Sequence, residues 1–71
     1  MLEDLKSLLG LPEEADETLD RRLNLILSGT KSRLKSLLGG IEPPEALNYI
    51  ILEVSVIRYN RIGSEGLSAH T

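Results

Sequence analysis

The sequence predicts an all-α fold: a small three-helix bundle, with a short N-terminal helix, two long helices and an extended C-terminal arm. Three observations predict it. The 15 Leu and 6 Ile recur mostly at three- and four-residue steps, the spacing of one helix face. Gly and Pro gather at Gly10, Pro12, Gly39-Gly40 and Pro43-Pro44, dividing the chain into segments. Finally, the Val- and Ile-rich stretch from Ala46 to Ile62 keeps helical spacing over a length that no ordinary strand reaches.

The first helix rests on Leu2, Leu5, Leu8 and Leu9, and Gly10 stops it. Eight residues are too few for a stable isolated helix in water, so this one must pack on something. The second begins near Pro12, suited to a first helical turn, or four residues later with Asp16 as N-cap. Its early acids lie where the helix dipole favours negative charge. Leu19, Leu23, Ile26, Thr30, Leu34 and Leu37 trace its apolar stripe, widened by Leu27 and Leu38. Ser28-Gly29 in mid-helix reads as close packing or a mild bend, with a break as the alternative. Gly39-Gly40 ends the helix.

Pro43-Pro44 marks the next boundary, with Pro44 expected at the first helical position. In the third helix Leu47, Ile50, Ile51, Val54 and Ile57 form one apolar face, while Leu52, Val56 and Tyr59 extend a second. A helix apolar on two sides needs cover from two directions. After Gly63 periodicity ends, which sets the expected division at residues 1–62 for the helical domain and 63–71 for the arm. One hexapeptide occurs twice, Leu5-Lys6-Ser7-Leu8-Leu9-Gly10 and Leu34-Lys35-Ser36-Leu37-Leu38-Gly39. Both copies meet a predicted helix end, so the repeat reads as a shared way of stopping a helix.

Composition narrows the function. A chain of 71 residues is in the size range where one core is marginal and disulfides, a metal or oligomerisation usually help. It has no Cys, and its lone His70 is next to the end, so disulfides and an ordinary zinc site are not expected. Partner subunits are the expected source of further burial. No apolar run has the length of a membrane span, and the first residues lack the pattern of a signal peptide. No cofactor is expected: there is no phosphate-binding Gly loop, because Gly39-Gly40 follows a helix instead of preceding one. The carboxylates cluster at helix starts and not as a tuned acid–base pair, so no enzyme is expected.

The net charge of −3 hides an asymmetry. Residues 1–20 carry seven acids and one base, Lys6, whereas residues 21–35 carry Arg21, Arg22, Lys31, Arg33 and Lys35 and no acid. These five bases are candidates for subunit contacts or for contacts along a DNA channel. They do not all share one narrow face, and with only Tyr49 and Tyr59 as aromatics the chain has few platforms for base stacking. A second cluster lies at Tyr59-Asn60-Arg61-Ile62-Gly63-Ser64-Glu65-Gly66. Tyr59 offers an amphipathic ring for an interface, and Asn60 can cap. Arg58 and Arg61 can bond the last free carbonyls of the helix. Gly63 and Gly66 permit left-handed turns into the arm, and Glu65 can pair with Arg61.

This segment resembles the Tyr-Asn-Arg-x-Gly-x-Glu-Gly signature of head–tail connector proteins of tailed bacteriophages, also described as phage DNA-packaging proteins. The leading Leu-rich helix, the long amphipathic helix and the Pro-bounded third helix resemble the family too. The resemblance implies a ring, twelve- or thirteen-fold, between the portal and the tail. It would extend the DNA channel, dock a tail-completion or stopper protein, and touch double-stranded DNA at most nonspecifically. It implies residence in the virion after assembly in the host cytoplasm. Tyr59, Asn60, Arg61, Gly63, Glu65 and Gly66 match the motif and would share its role in positioning the arm and the interface. Related chains continue beyond the Ser-rich stretch, so an arm stopping at Thr71 is expected to be curtailed. The alternatives are a small helical DNA-binding or regulatory protein, and a helical interaction domain with a partner unrelated to phage.

Overall fold

The computed structural model describes the backbone of residues 1–68 and the side chains of residues 1–62. It contains three α-helices: α1 (Leu2–Leu9), α2 (Glu17–Leu37) and α3 (Asn48–Ser68). The expected all-α, three-helix arrangement is observed, with no strand among the described residues.

The helix ends follow from local chemistry. Asp16 caps α2 from an extended backbone, and its Oδ1 accepts the Leu19 amide at 3.1 Å. The later of the two predicted starts is therefore the observed one. A carboxylate N-cap is worth about 1 kcal/mol, and Glu17 and Asp20 in the first turn add to it through the dipole. The repeated hexapeptide ends both α1 and α2 with the same pair of backbone bonds. The Gly10 amide donates to Ser7 O at 3.2 Å and the Leu11 amide to Lys6 O at 2.9 Å; after α2, Gly39 donates to Ser36 O at 3.1 Å and Gly40 to Lys35 O at 2.9 Å. This is a Schellman ending, which needs a left-handed residue just past the helix. Gly10 at φ 69° and Gly39 at φ 74° supply it.

Two expectations about α3 are corrected. Pro44 is not in the helix but precedes a 3-10 turn, Glu45–Leu47, whose Leu47 amide donates to Pro44 O, and α3 proper begins at Asn48. At the other end α3 does not stop at residue 62. It continues through Gly63 and Gly66 to Ser68, so residues 63–68 are helical and no left-handed exit forms at Gly63. Gly weakens a helix interior by about 1 kcal/mol but does not break it, and no Pro follows to force a stop. The rest of the expected arm, residues 69–71, lies outside the described residues.

The core is small. Leu5 of α1, Leu23 and Leu27 of α2 and Ile51 of α3 meet at its centre, with Leu52, Val56 and Tyr59 packed against them. Each fully buried aliphatic contributes about 1.5–3 kcal/mol. On a helix turning about 100° per residue, Leu52, Val56 and Tyr59 share one side, and Val54, Ile57 and Arg61 face the opposite way. The core thus takes the face that seemed secondary in the sequence, together with Ile51. Val54 and Ile57 of the first face are exposed, Ile57 by 56%. Leu37, counted on the α2 stripe, is 77% exposed. The molecule measures 40 × 29 × 18 Å, with a radius of gyration of 13.1 Å. A compact chain of this length would have about 11 Å. The bundle is a thin slab, covered on one side of α3 only.

A candidate interaction surface

The uncovered side of α3 forms, with α2, an open groove of about 370 Å³ lined by Arg33, Val54, Ile57, Arg58, Arg61 and Ile62. Three guanidinium groups meet three aliphatic side chains there. The groove runs on into an apolar hollow between Leu34 and Leu37 of α2 and Ile50 and Ile51 of α3, sharing Arg33 and Val54 with it.

Arg58 is the groove's fixed member. A bond from Arg58 to the last carbonyls of α3, which its position near a helix end had suggested, is not seen among the described residues. Its guanidinium reaches across to α2, where Nη1 donates to Thr30 Oγ1 at 3.4 Å. Ser55 Oγ, fully buried, donates to the same Thr30 oxygen at 3.3 Å, and the Thr30 hydroxyl itself donates to Ile26 O at 2.8 Å. One hydroxyl thereby ties α2 to α3 at a single level. Gly29 is beside it in an unbroken helix, and a Cβ there would be 3.6 Å from Arg58 Nη1, ordinary contact. Neither a break nor a forced close approach explains this glycine.

The five bases predicted from residues 21–35 separate into three settings. Arg21 and Arg22 are exposed in the first half of α2. Lys31 and Lys35, one turn apart, both hold Glu42 at 3.2 Å. Their hydrogen bonds and charges keep the Glu42 carboxyl below the ordinary carboxylate range. Only Arg33 joins the groove. Of the predicted motif residues, Tyr59 packs against the core, Asn60 is exposed, and Arg61 lines the groove. Gly63, Glu65 and Gly66 continue the α3 backbone, and the proposed Arg61–Glu65 pair falls outside the described side chains.

Sequence reasoning missed one residue of consequence. Lys6 stands out in the sequence only as the one base among the early acids, and it is 3% exposed. Its ammonium is 2.5 Å from Asp20 Oδ1 and donates to Glu14 O at 3.2 Å. The contact with Asp20 is an ion pair without good hydrogen-bond alignment. Lys6 fastens α1, the connecting segment and the start of α2 together. A signal was present, since Lys6 is the only base among seven acids in the first twenty residues. Glu3 and Glu13 line, together with Lys6 itself, a depression of about 190 Å³.

Among the described residues no three His, Asp or Glu side chains are grouped to hold a metal ion, and no helix is long and apolar enough to cross a membrane. Compared with known families, residues 1–71 match the family described as Phage gp6-like head-tail connector protein. Comparison with curated proteins and with solved structures gives no match.

Proposed function

The chain belongs to the phage gp6-like head–tail connector family, and from that premise we propose that it forms a ring which prolongs the DNA channel below the portal and presents a platform to a tail-completion protein. The general role, assembly of the virion at the head–tail junction, comes with the family. Twelve or thirteen subunits, the channel and the docked stopper are the finer reading. Assembly in the host cytoplasm and a purely structural, non-catalytic role belong to it as well.

The observation that carries this reading is the one-sided core. A slab whose α3 exposes Val54, Ile57 and Ile62 beside arginines leaves on its surface what a subunit interface buries. A closed ring supplies such cover for every copy through one repeated, heterologous contact. The acidic balance also suits a channel. A net charge of −3 per subunit gives DNA little to adhere to, because phosphate binding scales with the cations that displace counterions.

The test is imaging of virions whose connector gene is this one. A ring of this chain between portal and tail is expected, and deletion is expected to leave filled heads without tails. Intact tailed particles after deletion, or density for the chain elsewhere in the particle, would refute the role.

A further inference from the structure

We propose that the groove between α2 and α3 receives the connecting segment at residues 11–15 of a second copy of this chain. The inference names the ring contact and rests on the ring reading above.

Charge, composition, placement and dimensions lead to it. The groove is basic through Arg33, Arg58 and Arg61, and neither Arg33 nor Arg58 has a carboxylate partner among the described residues. The segment Leu11-Pro12-Glu13-Glu14-Ala15 has the matching composition, with two carboxylates between small or apolar residues, and is exposed from Pro12 onward. The two surfaces cannot serve each other within one chain. The segment is tied to α1 through Lys6, and the groove opens on the side of α3 turned away from the core that α1 helps to form.

Dimensions agree as well. From Val54 to Ile62 the groove follows α3 for about 12 Å at 1.5 Å per residue, and five extended residues span at most roughly 17 Å. The segment is also held in shape before any contact, because Lys6 bonds Glu14 O and Asp16 caps α2. A fixed loop loses less freedom on docking than a mobile one. A nucleic-acid occupant fits less well. Phosphates would use the arginines but not Val54, Ile57 and Ile62, and the net charge opposes a polyanion. Joining one face to a different face of the next copy is the head-to-tail geometry that closes into rings.

The experiment is a charge swap on the full chain, read by sedimentation velocity up to about 1 mM protein. Two variants are made, R33E/R61E and E13R/E14R, leaving Arg58 and the N-cap in place. The wild type is expected to self-associate, at least tenfold more weakly at high salt than at low salt. Each variant alone should lose at least tenfold, because like charges then face each other. An equimolar mixture should recover to within about threefold of wild type, since each variant offers the charge the other now needs. Melting curves check folding; should R33E/R61E unfold, R33Q/R61Q with an intermediate loss takes its place.

A wild type that stays monomeric, or a mixture that does not recover, overturns the contact. So does a groove variant that loses only binding to a labelled DNA duplex while associating normally. The same variants in virions keep the two readings apart. Normal assembly by both refutes this contact and leaves the connector role intact, whereas absence of the wild-type chain from the head–tail junction refutes the role whatever the swap shows.

Discussion

The Lys6–Asp20 pair allows a prediction whose sign depends on which partner is removed. At 2.5 Å and an effective dielectric of about 20, the attraction is roughly 7 kcal/mol. Desolvating the two ions offsets most of it, by several kcal/mol each. The two residues are not equally placed. Lys6 is almost sealed, whereas the Asp20 side chain keeps 23% exposure. Asp20→Ala therefore leaves an ammonium buried with a single carbonyl for company and is expected to cost about 3 kcal/mol. Lys6→Met keeps the apolar stem, and the part-exposed Asp20 carboxylate can turn its buried Oδ1 toward water, so the change should stay within about 1 kcal/mol. A 71-residue domain has on the order of 4–10 kcal/mol in total. The predicted fall in Tm is thus roughly 12–24 °C for Asp20→Ala and at most 4–8 °C for Lys6→Met. Thermal and urea unfolding at low protein concentration, where self-association does not add stability, will measure both. Equal losses, or a larger loss for Lys6→Met, would refute the account of Lys6 as a buried charge dependent on one carboxylate.

The other predictions concern the helix ends, the buried hydroxyls and pH. Gly10→Ala and Gly39→Ala should each cost about 1 kcal/mol in urea unfolding, nearly equally, because both force a Cβ into the left-handed region with nothing else nearby. Gly29→Ala should instead stabilise by about 0.5–1 kcal/mol, since its Cβ meets Arg58 only at ordinary contact distance. Thr30→Val keeps the shape but strands the Ser55 hydroxyl and should cost about 1–2 kcal/mol, whereas Ser55→Ala removes the buried donor and should stay within about 0.5 kcal/mol. Glu42, with its pKa lowered by Lys31 and Lys35, stabilises the fold above the ordinary carboxylate value. That contribution fades as pH falls through the lowered value, and the wild-type advantage over Glu42→Gln in pH-resolved melts should vanish there.

The ends of α1 and the limits of α2 were the most legible part of the sequence, because their causes are local, whereas both ends of α3 were misplaced. Asp16, Gly10 and Gly39 act within a few residues of themselves, and the repeated hexapeptide could be read as a stop signal before any packing was known. The rotation of α3 was not legible. Both of its apolar faces carry Ile, Val or Leu at helical spacing, and only the position of α1 decides which is covered. Lys6 and Arg58 were hidden for a related reason. A long cation is ordinarily solvated, and its burial depends on partners, Asp20 and Thr30, that are distant in the sequence. The family motif spans residues 59–66. The groove draws two members from it, Arg61 and Ile62, and adds Arg33, Val54, Ile57 and Arg58 from outside it.

The Thr30 hydroxyl has a further consequence for how such a chain tolerates change. Because Ser55 and Arg58 both reach that one oxygen, α2 and α3 are pinned at one height, and sliding either helix by a turn would break both bonds and displace the groove's two walls. The link from Gly40 to Pro44 does not set that height. Insertions and deletions there should be absorbed locally, while a single residue gained or lost between Thr30 and the end of α2, or between Asn48 and Ser55, would rotate one wall by about 100° against the other. Length variation in related chains is thus expected to collect in this link, leaving the interval from the start of α3 to Arg58 constant.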